Sequence, residues 1–534
     1  MPQDPNDQPA SELLKEIAAE KARLIKSGVF REQEEFRTAK QIEHKQLPNN
    51  WSLTTVQKLG FLCGGKRLPK GHTYSETPSE HRYLTVTNMK DQTIIDNEVK
   101  YISDETFNEI KKYIITKDDL YITIAGTIGV VGTIPESCDG MNLTENAARF
   151  VFFKCDKRFL VYLLNSYSVQ QQFMNLTNTL AQPKLSLRSI QSTEIGIPPL
   201  KEQKRIVARI EQLMGRCDEL ERLRAERDKM RLDTHAAAIN QLLSAADSEN
   251  FSSAWRFITS NFAELYSVKE NVAELRKTIL QLAVMGKLVP QDPNDQPASE
   301  LLKEIAAEKA RLMKEKKIKK AKHLSLASPK EMPFQVPDSW QWSRIVELAE
   351  SIDYGTSQKT CDDSSLVPVY RMGNIVDGKL IDEGFKYIAP DIDELPYLYL
   401  HPNDILFNRT NSYELVGKSA IFTGPAEYTT FASYLIRIRL FAALKNPAFI
   451  SMAMNAPYFR LTQIEPEIVQ QCGQANFNGT KLSLCLVPLP PISEQKRIVT
   501  RVDQLMALCD NLEQNITAAA DSRSTLLNAL MANV

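Results

Sequence analysis

The sequence predicts an α+β fold: two globular α/β domains separated by long antiparallel coiled-coil helices, in a pseudo-two-fold internal duplication whose ends close cyclically. Three observations predict it. A 23-residue segment occurs twice without a single change. Paired prolines are followed, twice, by apolar residues at heptad spacing. Between these shared parts lie two strongly diverged regions of mixed strand and helix patterning, each of about 150 residues.

The duplication comes first, because a repeat decides how everything else is read. Residues 2–24 read PQDPNDQPASELLKEIAAEKARL, and residues 290–312 read the same at an offset of 288. Leu47-Pro48-Asn49-Asn50-Trp51 answers Val336-Pro337-Asp338-Ser339-Trp340 at 289. Asn88, Asp91, Asp96 and Lys100-Tyr101-Ile102 answer Asn374, Asp377, Asp382 and Lys386-Tyr387-Ile388 at 286. Pro198-Pro199 with Glu202-Gln203-Lys204-Arg205-Ile206-Val207 answers Pro490-Pro491 with Glu494-Gln495-Lys496-Arg497-Ile498-Val499 at 292. Nearly constant offsets mean one unit used twice. The shared parts do one job twice, and the divergent parts do two different jobs of one kind. The last residues, 525–534, look like a weaker version of the lead-in 278–289 that precedes the second copy. The repeat is therefore cyclic, and the two chain ends are expected to lie close together.

The helices follow from spacing. Ile498, Val502, Leu505, Cys509, Leu512 and Ile516 step by four and three, as do Ile206, Ile210, Leu213, Cys217 and Leu220. The first of these helices is expected to reach about Leu243, on the order of 60 Å at 1.5 Å per residue. Each seam needs an apolar partner, and the expected partner is the other copy, antiparallel. Residues 11–26 and 299–317 also read as helices, with Ser11 and Ser299 at the N-cap positions. The lysine run 314–322 reads as a solvated tail. In the divergent regions 149–153, 121–124, 367–370 and 434–439 read as strands, and 159–173 and 447–461 as helices. The domain boundaries are 1–46, 47–199, 200–335, 336–491 and 492–534.

Composition narrows the class. At 534 residues the chain is long enough for two to four domains. It is 43% hydrophobic and 25% charged, ordinary for a globular protein. No run of 18 apolar residues occurs, so no membrane span is expected. Met1-Pro2-Gln3-Asp4-Pro5 lacks the basic and apolar regions of a signal peptide, and a cytoplasmic location is expected. The net charge of −1 excludes a generally basic coat for nucleic acid but leaves room for local basic faces. Eight cysteines (63, 138, 155, 217, 361, 472, 485 and 509) form no C-x-x-C pair and read as reduced thiols. The six histidines (44, 72, 81, 235, 323 and 401) are scattered, and no zinc site is expected.

Catalytic motifs fail on inspection. Gly60-Phe61-Leu62-Cys63-Gly64-Gly65-Lys66 matches seven positions of a phosphate loop, but Arg67 stands where a Mg²⁺-binding hydroxyl is needed. The glycines of 126–132 have the wrong spacing for a dinucleotide loop and read as a tight turn. No Asn-Pro-Pro or Asp-Pro-Pro tetrapeptide ending in an aromatic residue, as an amino-methyltransferase needs, is present. Glu202-Gln203-Lys204 and Glu494-Gln495-Lys496 have the E-x-K shape of nuclease sites, yet they open a helix beside Arg205 and Arg497. Helix-start charges or a docking surface explain them better.

Paired prolines followed by E-Q-K-R-I-V at the head of a long helix, twice, resemble the specificity subunits of type I restriction–modification enzymes. So does 280–302, Leu280 onward through A-V-M-G-K-L-V-P-Q-D-P-N-D-Q-P-A-S-E-L-L. The resemblance covers nearly the whole chain. It implies a non-catalytic subunit in which two target-recognition domains each read half of a split double-stranded DNA target, with the helices as a ruler between them. It implies partners: two methyltransferase subunits that carry S-adenosylmethionine and methylate adenine N6, and two motor-endonuclease subunits that use ATP and Mg²⁺. This chain itself is expected to bind no cofactor and no metal. Pseudo-two-fold symmetry then places the readers on oppositely oriented half-sites roughly one helical turn apart.

Base readout needs Arg, Lys, Asn, Gln, Ser or Thr on loops that reach the major groove, and phosphates need Lys or Arg. In the first domain the candidates are Lys66, Arg67, Lys70 and His72 on a Gly/Pro-rich loop, then Asn88 and Lys90. In the second they are Tyr354, Thr356, Gln358 and Lys359 at the comparable place, then Arg371, Asn374, Arg409, Asn411, Asn476 and Asn478. Region 337–491 holds 12 basic and 17 acidic residues, an unusual balance for a DNA reader. The methyltransferase partners are expected to supply much of the phosphate affinity. Two alternatives stand beside this reading: a coiled-coil protein scaffold with two binding modules and no DNA role, and a fused restriction enzyme with its own catalytic site.

Overall fold

The computed structural model describes residues 3–34, 47–95, 99–175, 184–318, 328–471 and 474–532. His44, Asp96, His323, Cys472, the 319–322 end of the lysine run and the terminal residues 1–2 and 533–534 lie outside them. The chain divides into two compact units, 1–223 and 224–534.

The first unit contains, in chain order, α1 (Ala10–Lys26), β1 (Ser52–Thr55), α2 (Val56–Leu59), β2 (Gly60–Gly64), β3 (His81–Leu84), β4 (Met89–Lys90), β5 (Thr93–Ile94) and β6 (Lys100–Ile102). Then come α3 (Asp104–Ile110), β7 (Leu120–Thr123), β8 (Val131–Thr133), β9 (Asn142–Leu143), β10 (Ala147–Phe152), α4 (Lys157–Leu164), α5 (Tyr167–Asn175), α6 (Leu187–Ser192), β11 (Glu194–Ile197) and the start of α7 (Leu200–Ser244). The second unit holds the end of α7, then α8 (Ser248–Ser260), α9 (Phe262–Leu265), α10 (Lys269–Val284) and α11 (Ala298–Lys314). There follow β12 (Gln341–Arg344), α12 (Ile345–Leu348), β13 (Ala349–Tyr354), β14 (Val367–Tyr370), β15 (Ile375–Val376), β16 (Lys379–Leu380), β17 (Lys386–Ile388), α13 (Leu395–Leu398), β18 (Ile405–Asn408) and β19 (Thr410–Asn411). Last come β20 (Ser419–Ile421), β21 (Thr430–Phe431), β22 (Leu435–Leu440), α14 (Pro447–Asn455), β23 (Val469–Gln471), β24 (Gln474–Asn476), α15 (Gly479–Leu484), β25 (Leu486–Leu489) and α16 (Ile492–Ala532).

The two diverged regions share one topology. An antiparallel sheet runs β2-β10-β7-β8 in the first and β13-β22-β18-β20 in the second. A small sheet, β6-β3-β9 or β17-β14-β21, contains one parallel pair in each case. A hairpin (β4-β5, β15-β16) and a closing pair (β1-β11, β12-β25) complete both. Each hairpin turns through left-handed residues, Asp91-Gln92 in one and Asp377-Gly378 in the other, the geometry a two-residue type I′ turn requires. Among the described residues only the second domain adds the sheet β19-β24-β23. The first core packs Leu62, Ile122, Phe150, Leu160, Phe173 and Ile197 between sheet and helices. In the second, fully buried Arg437 lies across the strands from Asp353 and pairs with it at 2.8 Å. Burial pushes the Asp353 carboxyl up, but hydrogen bonds from Ser351, Arg437 and Tyr397 outweigh it and leave the group below its usual range.

Three expectations need correction. Ser11 and Ser299 are not N-caps: the helices begin one residue earlier, after Pro9 and Pro297. Their first free N–H groups are met instead by loop carbonyls, Ala10 donating to Asn50 and Ala298 to Ser339. The 159–173 helix is two helices, broken where Asn165 turns its amide to both backbone groups of Val131 on the edge strand β8. Asn455 does the same to Ser419 on β20, and Ala456, preceding Pro457, stops the 447–461 helix. Part of the second seam also has a partner close at hand. Ile498, Val502 and Cys509 are buried and Leu505 and Leu512 half-buried, but their apolar partners include α10 of the same unit. Arg276 of α10 fixes this pairing through Asp510 at 2.7 Å and Glu513 at 3.2 Å. In the first unit Ile206 and Ile210 are half-buried, whereas Leu213, Cys217 and Leu220 are exposed.

The duplicated segment and the E-Q-K-R helix head explain one another. In the first unit Asp7 pairs with Arg205 at 2.6 Å, Trp51 Nε1 donates to Glu202 at 3.2 Å, and Gln203 donates to Pro198 O. In the second Asp295 pairs with Arg497 at 2.6 Å, Trp340 Nε1 donates to Glu494 at 2.9 Å, and Gln495 donates to Pro490 O. Leu13 and Ile17, or Leu301 and Ile305, bury the apolar face of the segment's helix on the adjoining domain. Lys204 and Lys496 stay exposed. The E-x-K spacing thus serves a structural clamp that ties the duplicated segment, the start of a domain and the head of a long helix together.

Trp340→Phe leaves the buried Glu494 carboxylate without its indole donor and should cost about 1–3 kcal/mol in chemical denaturation. Trp51→Phe should cost less, because its bond is longer and Trp51 is half-buried; equal losses would contradict this ranking. Burial raises the Glu494 pKa above its ordinary 4.5, against the hydrogen bonds of Trp340 and Gln291. A raised folded pKa means the folded state binds the extra proton. Stability is therefore lost as pH rises from 4.5 through the folded pKa. Glu494→Gln should gain melting temperature relative to the native chain across that window; a pH-independent difference would contradict it.

Candidate nucleic-acid interface

In both domains the first strand of the four-stranded sheet is followed at once by a glycine that no other residue can replace. A Cβ on Gly65 would sit 2.0 Å from the Thr144 carbonyl oxygen, and one on Gly355 would sit 2.3 Å from that of Phe431. The next N–H groups, of Lys66 and Thr356, donate to Leu143 O and Phe431 O, both at 2.9 Å. The loops carrying Lys66, Arg67, Lys70 and His72, and Thr356, Gln358 and Lys359, therefore leave equivalent places on equivalent sheets.

In the second domain residues far apart in sequence come together beside this glycine. Arg409 follows β18, and its guanidinium lies 4.9 Å from the Tyr354 ring centroid. The Tyr354 hydroxyl oxygen accepts the Gly479 N–H at 2.7 Å. β19, with Asn411, pairs with β24, with Asn476, and the Thr410 hydroxyl donates to Asn476 Oδ1 at 2.8 Å. Tyr354, Arg409, Asn411 and Asn476 thus form one half-exposed cluster, with Asn478 at its edge.

The first domain builds the same meeting point from shorter pieces. Ala125 bridges to Lys184, and Leu185 N–H donates to Ile124 O at 2.9 Å. The glycine-rich turn is a turn, with Gly126 and Gly129 left-handed, and it stands where the second domain carries Asn411 and the residues up to Gly417. Lys66 is exposed with its ammonium 5.7 Å from the Tyr113 ring centroid. Arg67, 80% exposed in its side chain, pairs with Glu145 at 2.8 Å. Burial pushes the Glu145 carboxyl up, but the Arg67 hydrogen bond and its neighbours hold it below the usual range, so the pair is ionic.

Other candidates are spent on the fold. Asn88 and Asn374 are buried. Asn88 takes the Thr85 N–H and donates to Ile95 O; Asn374 takes the Arg371 N–H and donates to Ile381 O and Glu383 O. They pin the hairpins, which is why both copies keep them. Thr356 is buried and accepts Gln358 N–H. Asn478 caps α15 by accepting Lys481 N–H. His72 is held against α3 by Thr106 at 2.7 Å. Lys70, Lys90, Gln358 and Lys359 are exposed, and Arg371 is half-buried. Sequence reasoning missed Lys184, Ser433 and Tyr434. Lys184 is exposed, Ser433 O accepts from Arg409, and Tyr434 is 45% exposed with its carbonyl on the Arg409 N–H. Only the strand pairings reveal these neighbours. Among the described residues no group of three His, Cys, Asp or Glu side chains is placed to hold a metal, and no helix is long and apolar enough to cross a membrane.

Comparisons with known proteins meet this geometry. The family described as "Type I restriction modification DNA specificity domain" matches residues 58–227 and 337–521, once per diverged region. The EcoAI specificity subunit of Escherichia coli is 31% identical over 99% of this chain and 90% of its own length. The EcoEI specificity subunit, also of Escherichia coli, is 29% identical over the same shares. A solved HsdS subunit from Thermoanaerobacter tengcongensis is similar at 17% identity, covering 89% of this chain and 93% of its own, with a TM-score of 0.43. Matched in both halves and along nearly its whole length, the chain belongs to the family of type I restriction–modification specificity subunits.

Proposed function

We propose that this chain reads a split double-stranded DNA target, one domain per half-site, and directs adenine methylation and restriction by partner subunits. The observation that carries the reading is a repeated frame with unrepeated loop ends. One topology and one clamp occur twice, while the loops meeting at Gly65 and Gly355 carry different side chains. Two half-sites of different sequence are what such a pair of readers would select. The protein-scaffold alternative has no comparable reason for this pattern, and family membership weighs against it.

On this reading the chain is non-catalytic, and methyl transfer, translocation and cleavage fall to the partners; family membership supports it. These are two methyltransferase subunits with S-adenosylmethionine and two motor-endonuclease subunits with ATP and Mg²⁺. The identity of residues 2–24 and 290–312 supports two equivalent docking positions. Buried contacts account for Leu13, Ile17 and their twins. They do not account for identical exposed residues such as Lys15 and Lys303. The exposed apolar edge of α7, with Leu213, Leu220 and Leu223, supports an antiparallel pairing of the long helices and cyclic closure of the chain ends. A cytoplasmic location follows from this role.

Co-expression with a cognate methyltransferase subunit, followed by genome-wide mapping of methylated adenines, tests the reading. One bipartite motif with a fixed spacer, methylated on both strands, is expected; a stable complex without any motif would overturn it. A Lys66→Ala, Lys70→Ala double variant of that complex should bind all duplexes more weakly. For every phosphate that is no longer neutralised, the slope of log affinity against log salt should fall by about 0.9. An unchanged slope would remove both lysines from the phosphate set.

A further inference from the structure

Arg409 is held in a way that its surroundings do not explain. It is half-buried, yet among the described residues no carboxylate lies within ion-pair reach, while Arg437, Arg439 and Arg460 of the same domain each have one. Its Nε–H is buried without an acceptor. Among the described residues, the only fixed partners of its guanidinium are the Tyr354 ring face and the Ser433 carbonyl, 3.2 Å from one terminal nitrogen. A partly desolvated guanidinium with so few acceptors is costly in the free protein. It is also pre-organised. Tyr354 is locked by the Gly479 N–H, and a Cβ at position 479 would come within 3.1 Å of the Tyr354 oxygen.

A second observation locates the difference between the domains at this residue. Arg409 N–H donates to Tyr434 O at 3.0 Å and its carbonyl accepts from Phe477 at 2.8 Å. Ile124 makes the matching pair, donating to Asn146 O at 2.8 Å and accepting from Leu185 at 2.9 Å. The backbone frame is the same and only the side chain differs, isoleucine in one reader and arginine in the other.

We propose that Arg409 reads a guanine in the half-site recognised by the second domain, and that Tyr354 is the residue that positions its guanidinium. This rests on the DNA-reading function proposed above. The terminal nitrogens of the guanidinium form a planar fork that matches O6 and N7 of guanine in the major groove. Ser433 occupies one N–H of the fork and fixes its plane. Asn411 and Asn476 lie on the paired strands β19 and β24 beside it and suit flanking base edges.

The test uses the methyltransferase complex of the full chain. Its affinity is measured for the native target and for every single-base-pair change in both halves. The native complex must first show a bipartite preference; if it shows none, the DNA-reading function itself fails. Given a preference, Arg409→Ala should relax selection at one G·C pair in one half only, by about 5- to 150-fold in relative affinity, leaving the other half unchanged. Arg409→Lys should keep part of the guanine preference. Tyr354→Phe keeps the ring but loses the Gly479 bond, and should weaken discrimination at that same pair. Unchanged discrimination in Arg409→Ala, or a uniform loss for every sequence as a phosphate contact or a folding defect would give, overturns the assignment.

Discussion

The head of each long helix is anchored by a buried carboxylate and an arginine, and the architecture depends on how these two groups are satisfied. Glu494 is almost fully buried and would be expensive there without the Trp340 indole; Arg497 needs the carboxylate of Asp295. Both partners come from outside the helix, one from the start of the recognition domain and one from the duplicated segment. A helix can be held at a fixed angle to a globular domain only if something resists rotation about the joint. A two-point polar clamp does this where an apolar contact alone would permit sliding, because each hydrogen bond has a direction as well as a distance. The same groups, Glu202, Arg205, Trp51 and Asp7, form the first joint.

With the joints fixed, the domains are free to change at their far loops. The sheets tolerate almost complete replacement of their side chains because the frame is carried by a few positions. Gly65 and Gly355 allow close backbone approach. Asn88 and Asn374 pin the hairpins, and Asn165 and Asn455 seal the edge strand while ending a helix. These positions fix backbone, while the side chains on the loops that leave Gly65 and Gly355 differ, so recognition can diverge without disturbing folding.

Much of this was legible in the sequence, for a physical reason. The duplication and the long α7 are local or periodic features, and the four strands expected from alternation lie within or overlap observed strands. The helix partner was not legible. A heptad seam states that an apolar surface is needed but not which one, and the second seam packs on α10 rather than awaiting only a distant copy. The site was legible in part. Arg409, Asn411 and Asn476 were marked by residue type, but that Tyr354 lies under Arg409 depends on the β13–β22 and β18–β22 pairings. Asn88 and Asn374 misled because an amide suited to a base edge is equally suited to an unpaired backbone group. Residue type alone does not separate the two uses; burial does.

The acidic balance of the second domain then has a structural sense. Arg344, Arg437, Arg439, Arg460 and Lys481 are tied to Glu331, Asp353, Asp404, Glu465 and Glu467. Outside these pairs the domain still holds more acidic than basic residues, so it offers no net positive charge to phosphates. Affinity for DNA comes largely from phosphate contacts and selectivity from base edges, and a domain can be strong in one and weak in the other. A reader short of free cations yet supplied with a pre-organised arginine and amides discriminates more than it adheres. On the proposed function this separation is useful. A specificity subunit that adhered strongly by itself would occupy targets without the enzyme that modifies them, whereas one that needs its partners' charge engages a target only as part of the assembly able to act on it.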